Sequence, residues 1–449
     1  MRHRFRPPRP EAPDRSPRGL ALLRALRTNM LQLWPKAAYA EDLVSGRIFG
    51  RRYFLFNSPG AIHRVLLENA DNYRRPAPTV RILKPVIGEG VLLSEGEEAR
   101  RLRRVIMPAL APRVLPSLVP HIARSTLELA ARYRSEAAET VDLLSDMQGL
   151  ALDIAARTMF SLEIGEHGAA LRALIARYRM RLGQPDLLDV VLPLAIPTPR
   201  DFARRRFRPH WTGLMDTIIR QRLAAPLSHR PRDLFDHLLG ASHGTTDAPL
   251  TQGQLRDQIS TMIVAGHETS ALAMFWSLYL LASVPEAQDR VAAEARNLPR
   301  APEEIGTPEL PYTRAVVNEA LRLYPPAFLV AREAVSDDRC AGVAVPAGAL
   351  VIISPWILGR HQRLWPDPDA FDPDRFLGGE APSRYAHMPF GAGQRVCIGA
   401  QFAMLELTLA LALLTRDFEI GLATSRPVVP AAVVSMQPDH DARFTLRRR

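Results

Sequence analysis

The chain has 449 residues, 47% of them hydrophobic and 23% charged, enough to bury one large core or two ordinary ones and the composition of a globular protein. Its two cysteines exclude a disulfide framework and point to a reducing compartment, the cytoplasm. Lysine and arginine number 58 against 47 aspartate and glutamate, a net of +11, but part of the excess lies at the two tips, MRHRFRPPRP and TLRRR, and neither carries a nucleic-acid motif, so nucleic acid is not an expected partner.

Residues 1–17, rich in proline and arginine, are expected to form a disordered basic tail, leaving 18–449 as a single domain. No apolar stretch near ~20 residues opens the chain, so no transmembrane anchor is expected. Gly19 to Leu33 reads instead as a short amphipathic helix lying on the domain, with Arg24 and Arg27 on one side. GRIFGRRYFLFNSPG predicts a β-hairpin, and Asn57-Ser58-Pro59-Gly60 then turns into a helix carrying Ile62, Val65 and Leu66. From Glu97 to Arg222 apolar residues recur at helical spacing, broken by Pro108, Pro112, Pro120 and the cluster from Pro193 to Pro199, with no internal repeat. Within EGEEARRLRRVIMPAL, the arginines 100, 101, 103 and 104 read alone as a solvated basic face.

Pro226 to Pro249 is polar and breaker-rich, with a turn at Gly244, Thr245 and Thr246. Thr251 and Gln254 then make a capping box that opens the longest predicted helix. It runs to about Ala282, roughly 48 Å at 1.5 Å per residue, and from Met262 it is apolar nearly all round, as a helix through the core must be. Inside it, Ala265-Gly266-His267-Glu268-Thr269-Ser270 interrupts the apolar pattern. An interior glycine costs about 0.5 to 1 kcal/mol, and a buried carboxylate costs more unless paired or solvated. A local widening of the helix holding ordered water would compensate. Thr269 read alone bonds back to the carbonyl four residues earlier, and His267 points elsewhere as a structural residue. Ser283, Pro285 and Glu286 restart a helix in the same capping manner.

Glu319 and Arg322 stand one turn apart on a helix stopped by Pro325 and Pro326; alone they are a surface ion pair worth well under ~1 kcal/mol. AFLVAREA and VAVPAGALVIISPW alternate as strands around a turn at Pro346-Ala347-Gly348, Cys340 is a small residue at a strand edge, His361 is structural, and ARFTLR is a terminal strand. Between the two strand regions and the end lies PFGAGQRVCIG, Pro389 to Gly399, followed at once by an apolar helical run. Cys397 thus stands beside a helix N-terminus, where unpaired N–H groups and the dipole favour thiolate, although a lone cysteine in such a turn is more ordinarily a small buried residue.

Spacing reverses that ordinary reading. Phe390, Gly393, Arg395, Cys397 and Gly399 match Phe-x-x-Gly-x-Arg-x-Cys-x-Gly, and the loop resembles the heme-binding loop of the cytochrome P-450 family. Ala265 to Ser270 resembles the family's segment over the oxygen-binding face, and Glu319 with Arg322 its Glu-x-x-Arg, which Arg375 of DPDRF would join to pin the Cys-bearing meander. The resemblance implies a mainly α fold with a smaller β-rich region, and heme b (iron protoporphyrin IX) between the long central helix and the Cys loop. It implies Cys397 as the thiolate axial ligand of the iron, with Phe390 near the sulfur and Gly391, Gly399 and Ala265 allowing close approach to the flat cofactor. Arg103, Arg332 and Arg395 would meet the propionates. Ala99 departs from the pattern, which has an aromatic or histidine there, and leaves retention to Arg103 and to donors outside the motif. Thr269 would hydrogen-bond the iron-bound hydroperoxide and Glu268 relay protons to the distal oxygen.

The activity implied is monooxygenation: one atom of dioxygen enters an apolar small molecule and the other leaves as water, using two electrons from NAD(P)H. About 50 residues follow Cys397, so no reductase is expected to be fused. A ferredoxin and ferredoxin reductase are the implied partners of a monomer, docking on the face nearest Cys397. Val264, Ala265, Phe328, Leu329, Val433 and Met436 are expected to wall the substrate, a terpenoid, steroid, fatty acyl or aromatic compound. A peroxide-driven peroxygenase and a non-catalytic heme-thiolate gas sensor are the alternatives, and the Glu268-Thr269 pair argues against both.

Overall fold

Thr251 and Gln254 start the central helix Gln252–Ser283 as expected: Thr251 Oγ1 accepts from the Gln254 amide at 3.2 Å, and Gln254 Oε1 accepts from the Thr251 amide at 3.0 Å. Every side chain from Ser270 to Leu281 is buried, which explains the missing amphipathic period. The helix packs against Leu143–Phe160, Ala400–Asp417 and Pro311–Leu323, and Trp276 stacks on Tyr324 with centroids 4.0 Å apart. The computed structural model describes residues 4–136, 139–160, 165–224, 233–244, 250–378 and 383–449; Thr245 and Thr246, expected at a turn, lie outside them.

Two expectations for this helix need correction. It stays α-helical through Ala265 to Ser270, with no widening, because Thr269 Oγ1 donates to the Ala265 carbonyl at 2.6 Å and no ladder position is vacated. Ser283 does not cap the next helix either: its hydroxyl donates back to Tyr279 at 2.8 Å, and Pro285–Ala295 begins at Val284 with proline in its first turn.

The β-region is a five-stranded sheet in the order Leu43–Ile48, Arg51–Phe56, Leu350–Ile353, Val330–Ala334, Tyr73–Arg74. Its hairpin turns on Phe49 and Gly50, at φ 49° and 79°, the two left-handed residues a tight hairpin requires. Three small pairs among the described residues complete it: Asp338–Cys340 with Val343–Val345, Pro430–Ala432 with Met436–Pro438, and Phe418–Leu422 with the terminal Phe444–Arg448. Gly19–Thr28 is helical and then tightens to a 3-10 turn over Met30–Leu33. Cys340 is buried in the strand Asp338–Cys340, and its thiol is pushed up to about 11, chiefly by burial.

Residues 4–17 are a strap and not the disordered tail expected. Arg4, Arg6 and Arg9 pair with Asp372, Asp367 and Asp369 at 2.9, 3.0 and 3.0 Å. The Phe371 amide donates to the Phe5 carbonyl, and the Lys36 amide to the Pro13 carbonyl, both at 2.9 Å. Composition suggested disorder because the acidic partner, DPDAFD, lies at the other end of the sequence.

That acidic segment is itself anchored by the Glu319 cluster. Glu319 and Arg322 are fully buried, with Arg322 Nε donating to Glu319 Oε2 at 2.6 Å. Arg375 Nε reaches Glu319 Oε1 at 3.2 Å, the Asp372 amide donates to the same oxygen at 2.8 Å, and Arg322 also donates to the carbonyls of Gly359, Pro368 and Ala370. Read alone the pair looked like a surface contact; its neighbours make it the peg of the meander. Among the described residues no single helix is long and apolar enough to cross a membrane.

Candidate active site

The Cys loop is built on two left-handed glycines. Gly391 and Gly393 have φ 72° and 73°, and a Cβ on Gly393 would sit 2.0 Å from the Leu66 carbonyl oxygen, so this position is closed to any other residue. The loop is closed by the Cys397 amide donating to the Phe390 carbonyl at 2.9 Å, and Gly399 then caps the helix Ala400–Asp417. The Cys397 side chain opens onto a cleft while protein surrounds it elsewhere. Burial therefore pushes its thiol up, and the Gly399 amide and Arg103 draw it back. The helix terminus alone does not deliver the thiolate the sequence suggested; a cation bound at the sulfur would.

The central helix is open on one face where the apolar pattern breaks. Gly266 is exposed just before the fully buried run from Ser270 to Leu281, with Val264, Ala265 and Thr269 half-buried beside it, and a Cβ on Gly266 would meet nothing within 4 Å. One step further, Ser270 donates to Glu406 Oε2 at 2.7 Å and ties this helix to the one leaving the Cys loop. Burial pushes Glu406 up to about 8, so it is a neutral acid at pH 7. His267 faces away: its Nε2 lies 3.0 Å from the Gln148 carbonyl, and burial lowers it to about 4, keeping it neutral.

Four guanidiniums gather at the edge of the Cys loop. Arg103 donates to the Val396 carbonyl at 2.8 Å and Arg395 to the Tyr73 carbonyl at 2.6 Å. Arg332 donates to the Ala331 carbonyl at 2.9 Å, but its buried Nε has no partner among the described residues. Burial, then Arg395 and Arg75, lower Arg332 to about 9. Arg75, which no motif singled out, is buried against Glu95 at 2.9 Å, and Glu95 also pairs with Arg395. Its one sequence signal is Arg-Arg-Pro at a strand end, where extended backbone before proline turns Arg74 out to Glu333 and Arg75 inward. A buried guanidinium cluster sharing Glu95 and holding an orphaned N–H lacks a further anion.

That set fits heme b, whose two carboxylates are the missing anion. The open glycines and the exposed Gly266 leave room for a flat group, and Cys397 supplies a soft ligand. Ala99, half-buried, contributes no polar group; Arg75 is a buried cation at the same edge that lies outside the motif.

The acid of the polar segment meets the hairpin that carries Val433 and Met436 of the expected wall. Ser435 Oγ and Gln437 Nε2 each donate to Glu268 Oε1 at 2.8 Å. Gln437 was not singled out by any motif. Two expected wall residues belong to the core instead: Phe328 is 2% exposed and Met436 0%. Val264, Ala265, Leu329 and Val433 remain partly accessible.

The chain matches the family model described as Cytochrome P450 over residues 19–440. It is 32% identical over 418 residues to a Streptomyces melanosporofaciens protein named cyclooctat-9-en-7-ol 5-monooxygenase, covering 90% of this chain and 89% of that one. It is 33% identical to the same organism's cyclooctatin synthase, over 88% of this chain and 86% of the relative. The crystal structure of the cytochrome P450DA heme domain has the same fold, with a TM-score of 0.80 over 98% of both chains at 23% identity.

Proposed function

The chain belongs to the cytochrome P450 family, and from that premise we propose how its own residues serve a heme b monooxygenase. Bound heme supplies the redox chemistry that splits dioxygen, placing one atom in the substrate and releasing the other as water. Cys397 holds the cofactor through sulfur, with Phe390 beside it and Gly391, Gly399 and Ala265 leaving the space the ring needs. Arg103, Arg332, Arg395 and Arg75 bind its propionates. The observation that carries this reading is the buried Arg332 Nε without a partner, in a cluster of arginines at the edge of the cysteine loop.

Thr269 and Glu268 manage protons. The Thr269 hydroxyl now donates to the Ala265 carbonyl, and turning it into the cleft costs that one bond, about 0.5–1.5 kcal/mol net. Glu268 holds a carboxylate at the edge of the same face. Partly accessible Val264, Ala265, Leu329 and Val433 keep water from the reacting position and favour an apolar substrate. The substrate we propose is a cyclic terpenoid, a class the sequence allows and the name of one relative supports. A ferredoxin and its reductase are proposed as electron donors, docking by charge on the face nearest Cys397, and the cytoplasm is the proposed site of action.

A spectral titration tests the substrate class: cyclic terpenoid alcohols should shift the ferric heme band at lower concentration than linear fatty acids of equal carbon number. Equal affinity for both would defeat the assignment. Raising salt should slow ferredoxin-supported reduction, and a salt-independent rate would remove the docking face.

A further inference from the structure

Glu268 is held in a manner unlike the ion-paired carboxylates Glu319 and Asp189. Glu319 engages donors through both oxygens, Oε1 with Arg322, Arg375 and the Asp372 amide, Oε2 with Arg322. Asp189 likewise meets Arg204 with both oxygens at 2.8 Å. Glu268 places both its donors, Ser435 Oγ and Gln437 Nε2, on Oε1, and its Oε2 has no protein partner among the described residues. Glu319 and Asp189 engage both oxygens, whereas the one-sided clasp on Glu268 keeps its second oxygen for transfer.

The clasp comes from the alternation of extended backbone. Met436 is buried, its amide donates to Pro326 at 3.2 Å, and its carbonyl accepts from Trp276 Nε1 at 2.9 Å. With Met436 pinned inward, period two turns Ser435 and Gln437 to the other side, where Glu268 stands. Gln437 Oε1 in turn accepts from Arg179 Nη1 at 3.2 Å, in the π-turn Tyr178–Leu182. A cation on the amide oxygen strengthens its N–H as a donor, so the two bonds reinforce one another.

We propose that Gln437 and Ser435 are positioning residues for proton supply: they grip Glu268 by Oε1, with Arg179 behind Gln437, so that Oε2 alone accepts and gives up protons. This rests on the reading of the chain as a monooxygenase. A proton enters from water at Oε2 and leaves from the same atom toward the Thr269 side, restoring the carboxylate with no net change of charge. The hairpin that supplies both gripping residues also carries the partly accessible Val433.

The test uses the heme-loaded, full-length protein. Infrared difference spectra of the ferric resting enzyme identify the Glu268 carboxylate band by its loss in Glu268→Gln. Gln437→Leu and, separately, Ser435→Ala should shift that band, and Arg179→Gln should shift it less. In turnover with a surrogate ferredoxin and reductase, the first two should divert several-fold more NAD(P)H into hydrogen peroxide and enlarge the solvent isotope effect, while the substrate's spectral dissociation constant holds. An unmoved band together with unchanged peroxide yield in both variants would overturn the proposal, and Ser435→Ala decides alone if Gln437→Leu does not fold. Should the unaltered protein fail to couple NAD(P)H to product, the monooxygenase reading falls, while the band still decides whether the clasp exists.

Discussion

At the scale of single residues, the electrostatics of two buried groups give measurable consequences. Glu406 is raised to about 8 by burial, while an unfolded glutamate titrates near ~4.3. Between those values the folded state holds a proton that the unfolded state has lost, so stability falls as pH rises across that window. Glu406→Gln should flatten the decline, visible as a smaller drop in melting temperature between about pH 5 and 8; an unchanged slope would contradict a neutral Glu406. Arg75→Leu should speed loss of heme to an apo-globin acceptor several-fold, because it removes one guanidinium from the cluster proposed to bind the propionates. Cys397, Glu268 and Thr269 could be proposed from the sequence because their motifs fix spacing within one loop or helix. Arg75, Glu95 and Gln437 were not, because each meets its partner only after distant segments fold together.

Elements place these residues, and here the sequence was legible wherever local chemistry decides. The Thr251–Gln254 box, the Phe49-Gly50 turn and the glycine-capped helix after Cys397 all follow from neighbours in the chain. The absent helix widening shows the limit: polar residues in a buried helix admit several solutions, and Thr269 took the hydroxyl-to-carbonyl bond. The Cys loop is the element least tolerant of change. Gly393→Ala combines φ 73° with a Cβ 2.0 Å from the Leu66 carbonyl. The purified variant should carry little heme by absorbance, and full heme content would show that the loop can reseat. Glu319→Gln leaves Arg322 buried without its counter-charge; breaking such a pair costs on the order of 3–5 kcal/mol, readable as a large fall in the midpoint of chemical denaturation.

Across the whole molecule, the expected α-rich body with a small β-region is what the chain folds into, whereas the N-terminal arm is not what composition implied. Arg4, Arg6 and Arg9 lie over the aspartates that flank the Glu319 peg, so charge excess at a chain end met its complement in tertiary structure. These exposed pairs are individually weak, and removing residues 1–17 should lower stability modestly and more at low salt than at high. The Cys397 sulfur is proposed to hold the heme iron. The most direct measurement is the absorption spectrum of the reduced, carbon-monoxide-treated protein: the account predicts the red-shifted Soret band of thiolate-ligated heme, lost in Cys397→Ser. An imidazole-type band, or a thiolate-type band that persists in Cys397→Ser, would contradict it.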